Sequence, residues 1–368
     1  MKVLHILYSG LGGHGNVFFS LIDADTENKF TYTALFNGVE NIRDEYTDRC
    51  KQKNIFFNYV KKIPGFDANY YKQIIKIIKV SNPDIIFLHS SSYILPVALS
   101  KFFGKIRGKI IVRETQANKL KTKKEWLWLS MALLIADKCV FLSDAYKNEI
   151  KAALPFLYKE KNVTVIPNGI NLKKFSPVNN FENSHIIIGM QSRIIAIKDH
   201  ITLIKAFALL INDKSLTEKK LVLKIIGDGE YLPTLEKLVT ELNLLDKVVF
   251  PGLMTENQLV EFLNEVDIYV HASLGETMST SIMQAMACKK AIIASNVPGI
   301  NNMITNNVNG LLAEVKNETD LYNKMKLLII NPALKEQLSQ NASLYATQNF
   351  SNEVMFLKYQ LLFNSLTN

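Results

Sequence analysis

Residues 275–285 read Gly-Glu-Thr-Met-Ser-Thr-Ser-Ile-Met-Gln-Ala, which places an acid, small hydroxyl side chains and an apolar helical stretch side by side. Glu276 falls in a loop after the apolar run 268–271, and Ser279 to Ser281 suit the cap of a following helix. The start of such a helix offers unpaired N–H groups and a positive dipole end, both suited to an anion. Gln284 lies eight residues beyond Glu276, about two helical turns on, within reach of the same site. An ordinary capped helix beside a loop acid would read the same way.

Two cations follow another apolar run. Arg193 comes just after residues 186–190, and Lys198 stands five positions further on at an expected helix start. A planar guanidinium and a compact ammonium at a strand's carboxyl end are suited to neutralise a diphosphate. They are equally compatible with plain surface charge.

A third cluster, Gly10-Leu11-Gly12-Gly13-His14-Gly15, satisfies G-x-G-x-x-G directly after the run 3–8. A dinucleotide fingerprint also needs an acid at the end of the second strand, to hold a ribose, and here that strand ends Phe36-Asn37-Gly38. A Gly-rich turn ahead of a helix can still bring backbone N–H groups to phosphate or sugar oxygens. Three readings therefore stay open: a phosphate or sugar loop, a structural turn, and a nicotinamide site. Asp23-Ala24-Asp25 has a D-x-D spacing but follows the first expected helix, so it reads as a solvated loop. No metal site is expected, and Cys50, Cys139 and Cys288 are too far apart for paired ligands and too few for a secreted disulfide framework.

The elements that must position these residues alternate regularly. Strands are expected at 3–8, 31–36, 55–57, 85–88, 110–113, 139–142 and 163–166, with helices between them such as 70–80 and 146–153. Apolar runs without alternation suit strands buried on both faces by crossover helices. Turn residues cluster at Pro167-Asn168-Gly169, Pro177 and 179–184, where a linker is expected. A second series starts afresh, with strands at 186–190, 222–226, 248–250, 268–271 and 291–294 and helices at 200–210, 231–242, 256–264 and 279–287; residues 332–366 read as helices alone. The fold class is α/β, two doubly wound Rossmann-like domains facing a cleft. The first is placed at 1–175 and the second at 176–349, with a C-terminal helix at about 350–368 free to pack back on the first.

The length of 368 residues fits two domains, and 48% hydrophobic with 21% charged residues excludes disordered and fibrous classes. The net charge of +9 is unevenly spread. Residues 1–178 hold 27 Lys and Arg against 15 Asp and Glu, a net of +12, whereas 179–368 hold 16 against 19, a net of −3. The excess is densest from Lys101 to Lys124 and runs into the Trp-bearing apolar stretch 126–135. That pattern suits an anionic membrane surface, and it also suits a solvated loop followed by a core helix. No run approaches the roughly 20 apolar residues of a membrane span, and the N-terminus does not read as a signal peptide. The expected location is cytoplasmic, with peripheral contact on the inner face of the membrane. Nucleic acid is not an expected partner, since no recognition motif appears.

Gly12-Gly13 after the first strand, Val165-Ile166-Pro167-Asn168-Gly169-Ile170 before the break, Arg193 with Lys198, Gly227-Asp228-Gly229 and the Glu276 segment together resemble the family 4 glycosyltransferases. The resemblance covers nearly the whole chain and implies the GT-B fold and transfer with retained anomeric configuration. It implies that Arg193 and Lys198 hold a donor diphosphate and that Glu276 contacts the transferred sugar. Backbone amides of Met278, Ser279 and Thr280 would meet sugar or phosphate oxygens, and Gly13 would close the site from the other domain. Gly12, Gly227 and Thr277 join the same donor-binding set. His89 matches an acceptor-domain histidine near the sugar, although alone it reads equally well as a core residue.

One position departs from the family pattern. Where the family has a second glutamate on the nucleotide ribose, this chain has Gln284. A carboxamide accepts through one oxygen and donates through nitrogen, so weaker donor binding is expected, but not its loss. The implied activity is hexosyl transfer from a nucleoside-diphosphate sugar, with UDP-sugars favoured, to a saccharide or lipid-linked saccharide in cell-surface polysaccharide or lipopolysaccharide biosynthesis. No cofactor besides that co-substrate is expected, and the cations and helix terminus would carry the leaving diphosphate electrostatically. The alternatives are a nucleotide-sugar epimerase and a non-catalytic nucleotide-sugar-binding protein.

Overall fold

The computed structural model describes residues 1–367 apart from 11, 64, 66, 105 and 179–184. The polar linker stretch 179–184 and Lys105 of the basic run lie outside the described residues. The chain divides into two compact units, Met1–Gly169 with Asn352–Asn368, and Ile170–Ser351.

In the first unit seven strands form one sheet: β1 (Lys2–Tyr8), β2 (Thr31–Gly38), β3 (Phe56–Lys61), β4 (Ile85–Leu88), β5 (Lys109–Arg113), β6 (Lys138–Phe141) and β7 (Val163–Val165). Their order is β3-β2-β1-β4-β5-β6-β7, and every pairing is parallel. All four residues of β4 are buried, as expected of a strand covered on both faces. The order reverses between β1 and β4, whose following loops diverge at the carboxyl edge, where doubly wound sheets bind ligands. One face is covered by the helix Gly13–Ala24 and by the last helix, Asn352–Thr367, whose Met355, Phe356, Tyr359, Leu362 and Phe363 enter the core with Phe18, Phe36 and Phe87. Phe363 meets Phe30 edge-on at 5.2 Å between ring centres. Burial of one such side chain contributes about 1.5–3 kcal/mol, so this helix is anchored firmly to the sheet.

The second unit repeats the plan with β8 (Ile186–Gln191), β9 (Leu221–Ile226), β10 (Val248–Gly252), β11 (Ile268–His271), β12 (Ala291–Ser295) and β13 (Leu311–Ala313), in the order β10-β9-β8-β11-β12-β13. Here too the pairings are parallel and the order reverses at the centre, between β8 and β11. The two sheets are the doubly wound α/β architecture that the alternation of runs predicts. β13 is the strand missing from that prediction. Three residues beside the turn at Asn307 and Gly310 are too few to show periodicity, and only pairing with β12 defines them.

Two expectations are corrected. Asp23 and Asp25 are not solvated loop acids: Asp23 pairs with Arg49 at 2.8 Å and with Lys53, while buried Asp25 accepts from the backbone N–H of Lys29 and Phe30 and from the Tyr32 hydroxyl. These bonds close the turn after the first helix. The basic run is likewise not all surface. Arg113 is buried and donates to Asn168, and the Lys121 side chain is buried beside Glu114 at 3.4 Å. Arg107, Lys119, Lys123 and Lys124 remain exposed.

Candidate active site

At the carboxyl edge of the second sheet, β8 runs through Gln191 into Ser192 and Arg193. The loop is held by backbone bonds from Ser192 N–H to the Ile226 carbonyl (3.0 Å) and from Ile194 N–H to the Asp228 carbonyl (2.8 Å). Gly227 makes this seat possible. Its φ is +134°, and a Cβ there would fall 1.9 Å from the Ser192 carbonyl oxygen, so any side chain would displace the loop that carries Arg193. Arg193 itself is exposed.

Lys198 closes the short 3-10 turn Ala196–Lys198. The Ile197 carbonyl beside it accepts from Leu274 N–H at 2.8 Å, which ties this turn to the loop after β11. Across that tie the Lys198 ammonium forms an ion pair with Glu276. The same carboxylate oxygen, Oε1, accepts from His271 Nε2 at 2.8 Å. His271 is fully buried at the end of β11, and burial lowers its pKa below the usual histidine range, although Glu276 opposes the shift. The ring is therefore neutral, and its single proton sits on Nε2, because a carboxylate can only accept. The Glu276 side chain is 12% exposed. Burial alone would raise its carboxyl, but Lys198 and the His271 N–H more than offset this and hold it at about 2. Glu276 is thus a fixed anion with a fixed counter-cation, its position set from three segments of chain.

The helix Thr280–Ala287 begins next to this pair. Ser279 is its N-cap and accepts from Ile282 N–H, and the Ser279 hydroxyl lies 2.9 Å from that of Ser281. Thr277, Met278 and Ser279 are buried and Thr280 is half-buried. Gln284 is also buried, and its Oε1 accepts from Gln191 Nε2 at 2.5 Å. The position that departs from the family pattern is therefore pinned to the last residue of β8. Gly299 presses on the same segment, since a Cβ there would fall 2.0 Å from the Glu276 carbonyl oxygen. In the 192–200 segment, His200 is buried and held neutral by its burial at about 3, and it bonds the Ser192 hydroxyl at 2.9 Å.

Lys198, Glu276, Ser279 and Gln284 thus share one edge of one sheet, and Arg193 stands on the neighbouring loop without joining their network. His271, Gly299 and Gln191 are additional members that the reading of motifs did not single out. His271 sits five residues before Glu276 and could have been found as a histidine ending a strand ahead of the key loop.

Gly12, Gly13 and His89 lie at the corresponding edge of the first sheet. Gly12 precedes the helix Gly13–Ala24, and among the described residues a Cβ at either glycine would meet no atom within 4 Å beyond its own chain neighbours. The first unit's own packing therefore does not demand glycine at these two positions. Asn37 spends its side chain internally, donating to the Leu7 carbonyl and accepting from the Tyr70 hydroxyl. His89 follows β4, fully buried, stacked on Phe87 with ring centres 4.7 Å apart.

Comparison with known proteins places both halves in one context. Residues 11–174 match the family described as Glycosyltransferase Family 4, and residues 172–344 match Glycosyl transferases group 1. An uncharacterized glycosyltransferase of Methanocaldococcus jannaschii is 27% identical over 73% of this chain, and the chain spans 64% of that relative's length. The Escherichia coli UDP-Gal:alpha-D-GlcNAc-diphosphoundecaprenol alpha-1,3-galactosyltransferase is 26% identical over 72% of this chain and 71% of its own. Among solved structures, Anabaena Alr3699/HepE in complex with UDP-glucose is similar in fold, with a TM-score of 0.83 at 19% identity over 99% of this chain and 100% of that one.

Proposed function

The chain belongs to the glycosyltransferases, its two halves matching Glycosyltransferase Family 4 and Glycosyl transferases group 1 in succession, and from that membership we propose that it is a retaining hexosyltransferase. The donor is a nucleoside-diphosphate sugar, UDP-sugars being favoured, and it binds the second unit. The acceptor is a saccharide or lipid-linked saccharide of cell-surface glycan biosynthesis, received by the first unit. The observation that carries this reading is the Lys198–Glu276–His271 arrangement beside the capped start of Thr280–Ala287.

Each part has a role in that chemistry. The diphosphate of the leaving group gathers negative charge as the anomeric bond breaks, and Arg193, Lys198 and the N–H groups of the helix start are placed to stabilise it. Glu276 stays ionised at every working pH, so it serves as a hydrogen-bond acceptor for sugar hydroxyls or as a partner for developing positive charge, and not as a general acid. The acceptor hydroxyl attacks on the face the diphosphate leaves, and the departing phosphate takes its proton. No divalent ion is invoked. The names of relatives support the substrate class: the E. coli protein acts on a diphosphoundecaprenol-linked sugar, and the Anabaena structure holds UDP-glucose.

The first unit carries the features of a surface for an anionic membrane. Phe102 is 84% exposed and Phe103, Leu127 and Leu134 are also exposed, on or just beyond the helices Ile94–Phe102 and Lys123–Ile135. Lys101, Arg107, Lys119, Lys123 and Lys124 are exposed in the same stretch. Apolar side chains beside lysines favour shallow insertion among anionic headgroups. No helix among the described residues is long and apolar enough to cross a membrane.

A calorimetric screen of UDP-, GDP- and ADP-sugars against the purified chain tests the donor assignment. Saturable binding of one class, lost in Lys198→Met, is expected; absence of binding by all three would overturn it.

A further inference from the structure

The loop after β2 carries a carboxylate that none of the roles above uses. Glu40 lies two residues beyond Gly38, at the carboxyl edge of the first sheet, and is exposed. It is nevertheless held by three hydroxyl groups. Its backbone carbonyl accepts from the Ser9 hydroxyl at 2.7 Å and from the Tyr59 hydroxyl at 3.0 Å, and its Oε1 accepts from the Tyr8 hydroxyl at 2.6 Å. Tyr8 ends β1 and Tyr59 belongs to β3, so the loop is fastened to the strands on both sides of its own. Two glycines keep room for this arrangement. A Cβ on Gly10 would fall 1.9 Å from Glu40 Oε2, and one on Gly38, where φ is +152°, would fall 2.6 Å from the Tyr8 ring. An exposed glutamate ordinarily keeps its rotamer freedom, and here that freedom is given up.

The surroundings of Oε2 define what it can hold. Among the described residues no lysine or arginine pairs with Glu40 and nothing donates to Oε2, which lies against the first glycine of the cluster Gly10–Gly15. A carboxylate without a counter-cation repels phosphate and carboxylate groups and accepts from hydroxyl or amide donors. It therefore speaks against a phosphate at the Gly10 end of the cluster. An acid just past the second strand, beside a glycine turn, is also the placement by which doubly wound folds grip the hydroxyls of a ribose, so the geometry suits a polyol.

We propose that Glu40 is a specificity-determining residue that binds hydroxyl groups of an uncharged acceptor saccharide, and that Tyr8, Ser9 and Tyr59 position it. The hydroxyl chemistry follows from contacts within the first unit, whereas the saccharide's role as acceptor rests on the glycosyltransferase reading above.

The test exploits Gly10, the one glycine that follows a serine. Labelling the full chain with 13C-carbonyl serine and 15N-glycine singles out its amide by NMR. The chain is titrated with methyl α-glucoside, methyl α-galactoside, methyl 2-acetamido-2-deoxy-α-glucoside, methyl α-glucuronide and, separately, NAD. At least one neutral glycoside should shift the Gly10 amide saturably, and the glucuronide should bind at least about tenfold more weakly than the glucoside. Glu40→Gln should weaken the neutral glycoside about tenfold and lose the discrimination against glucuronide, while calorimetry of nucleotide-sugar binding stays at the wild-type value. Three results overturn the proposal: no Gly10 shift with any neutral glycoside, glucuronide binding equal to glucoside in the wild type, or wild-type glycoside binding in Glu40→Gln. The second needs no variant. Saturable movement of Gly10 by NAD alone would assign the carboxylate to a ribose instead and overturn it too. Absence of nucleotide-sugar binding would defeat the transferase reading, while the Gly10 amide would still decide whether Glu40 holds a saccharide.

Discussion

Replacing Lys198 by methionine keeps an unbranched apolar stem, one heavy atom shorter, and removes the ammonium, which isolates what that group does for Glu276. In the native structure the Glu276 carboxyl sits at about 2 instead of an ordinary 4.5. That displacement is equivalent to about 3 kcal/mol of preference for the charged form. Because the folded value is depressed, this stability is fully present above about 4.5 and is lost as pH falls through about 2. Without Lys198, burial dominates and only the His271 N–H opposes it, so at pH 7 the variant must either bury a poorly compensated carboxylate or protonate it. A loss of about 3–5 kcal/mol from the second unit follows, the usual result of breaking a buried pair from one side. The deficit relative to wild type should shrink as pH falls below about 4.5, where wild-type Glu276 begins to lose its advantage. The sequence supplies a convenient readout. Both tryptophans, Trp126 and Trp128, lie in the first unit, so urea unfolding followed by tryptophan fluorescence reports that unit and far-UV circular dichroism reports both. The variant should shift the dichroism transition at pH 7, and its kcat/KM for the donor should fall on the order of 100-fold. Wild-type unfolding at pH 7 together with near-normal turnover would refute the role given to this pair.

Other variants probe neighbouring parts. Gln284→Glu keeps an acceptor for Gln191 Nε2 and adds charge, so calorimetry should show nucleotide binding equal or tighter; a folded variant unable to bind the wild type's nucleotide would contradict this. Gly299→Ala would drive a Cβ against the Glu276 carbonyl oxygen, and thermal unfolding should show a loss of about 1–3 kcal/mol while donor turnover drops at least about tenfold. Reversing two exposed lysines in Lys123→Glu with Lys124→Glu should weaken sedimentation with anionic vesicles at low salt. Removing the two attractions, at about 1 kcal/mol each, already predicts roughly 30-fold weaker binding. Wild-type chain that binds neutral and anionic vesicles equally would remove the electrostatic basis of the membrane surface.

How far the sequence was legible depended on the distance over which each feature is decided. Strands such as β4 and β11 are runs of buried Ile, Phe, Leu, Val and Tyr, and the helix at Thr280 carries its own cap, so local pattern suffices to find them. β13 was invisible because three residues have no period. Contacts across the fold were hidden for a different reason. Gln191 meets Gln284 across 93 positions, and Gly299 matters only because the Glu276 peptide passes over it. Counting charges could not reveal that Arg113 and Lys121 turn inward, since their partners Asn168 and Glu114 are ordinary polar residues in sequence. Asp25 read as a loop acid for the same reason: its three donors, including the Tyr32 hydroxyl, become visible only once the turn is folded. The pairing of His5 with His89 joins β1 to the loop after β4, which are neighbours in the sheet and 84 positions apart in the chain.

The most direct test of the central claim is donor turnover without acceptor. Purified chain is incubated with UDP-, GDP- and ADP-sugars in turn, and the released sugar is followed by proton NMR from the earliest time points. The account predicts slow release from one nucleotide class, the first-formed anomer matching that of the donor, and a drop on the order of 100-fold in Lys198→Met. Release of the opposite anomer would contradict retention, and no release from any of the three, or equal release by the variant, would contradict the donor site itself.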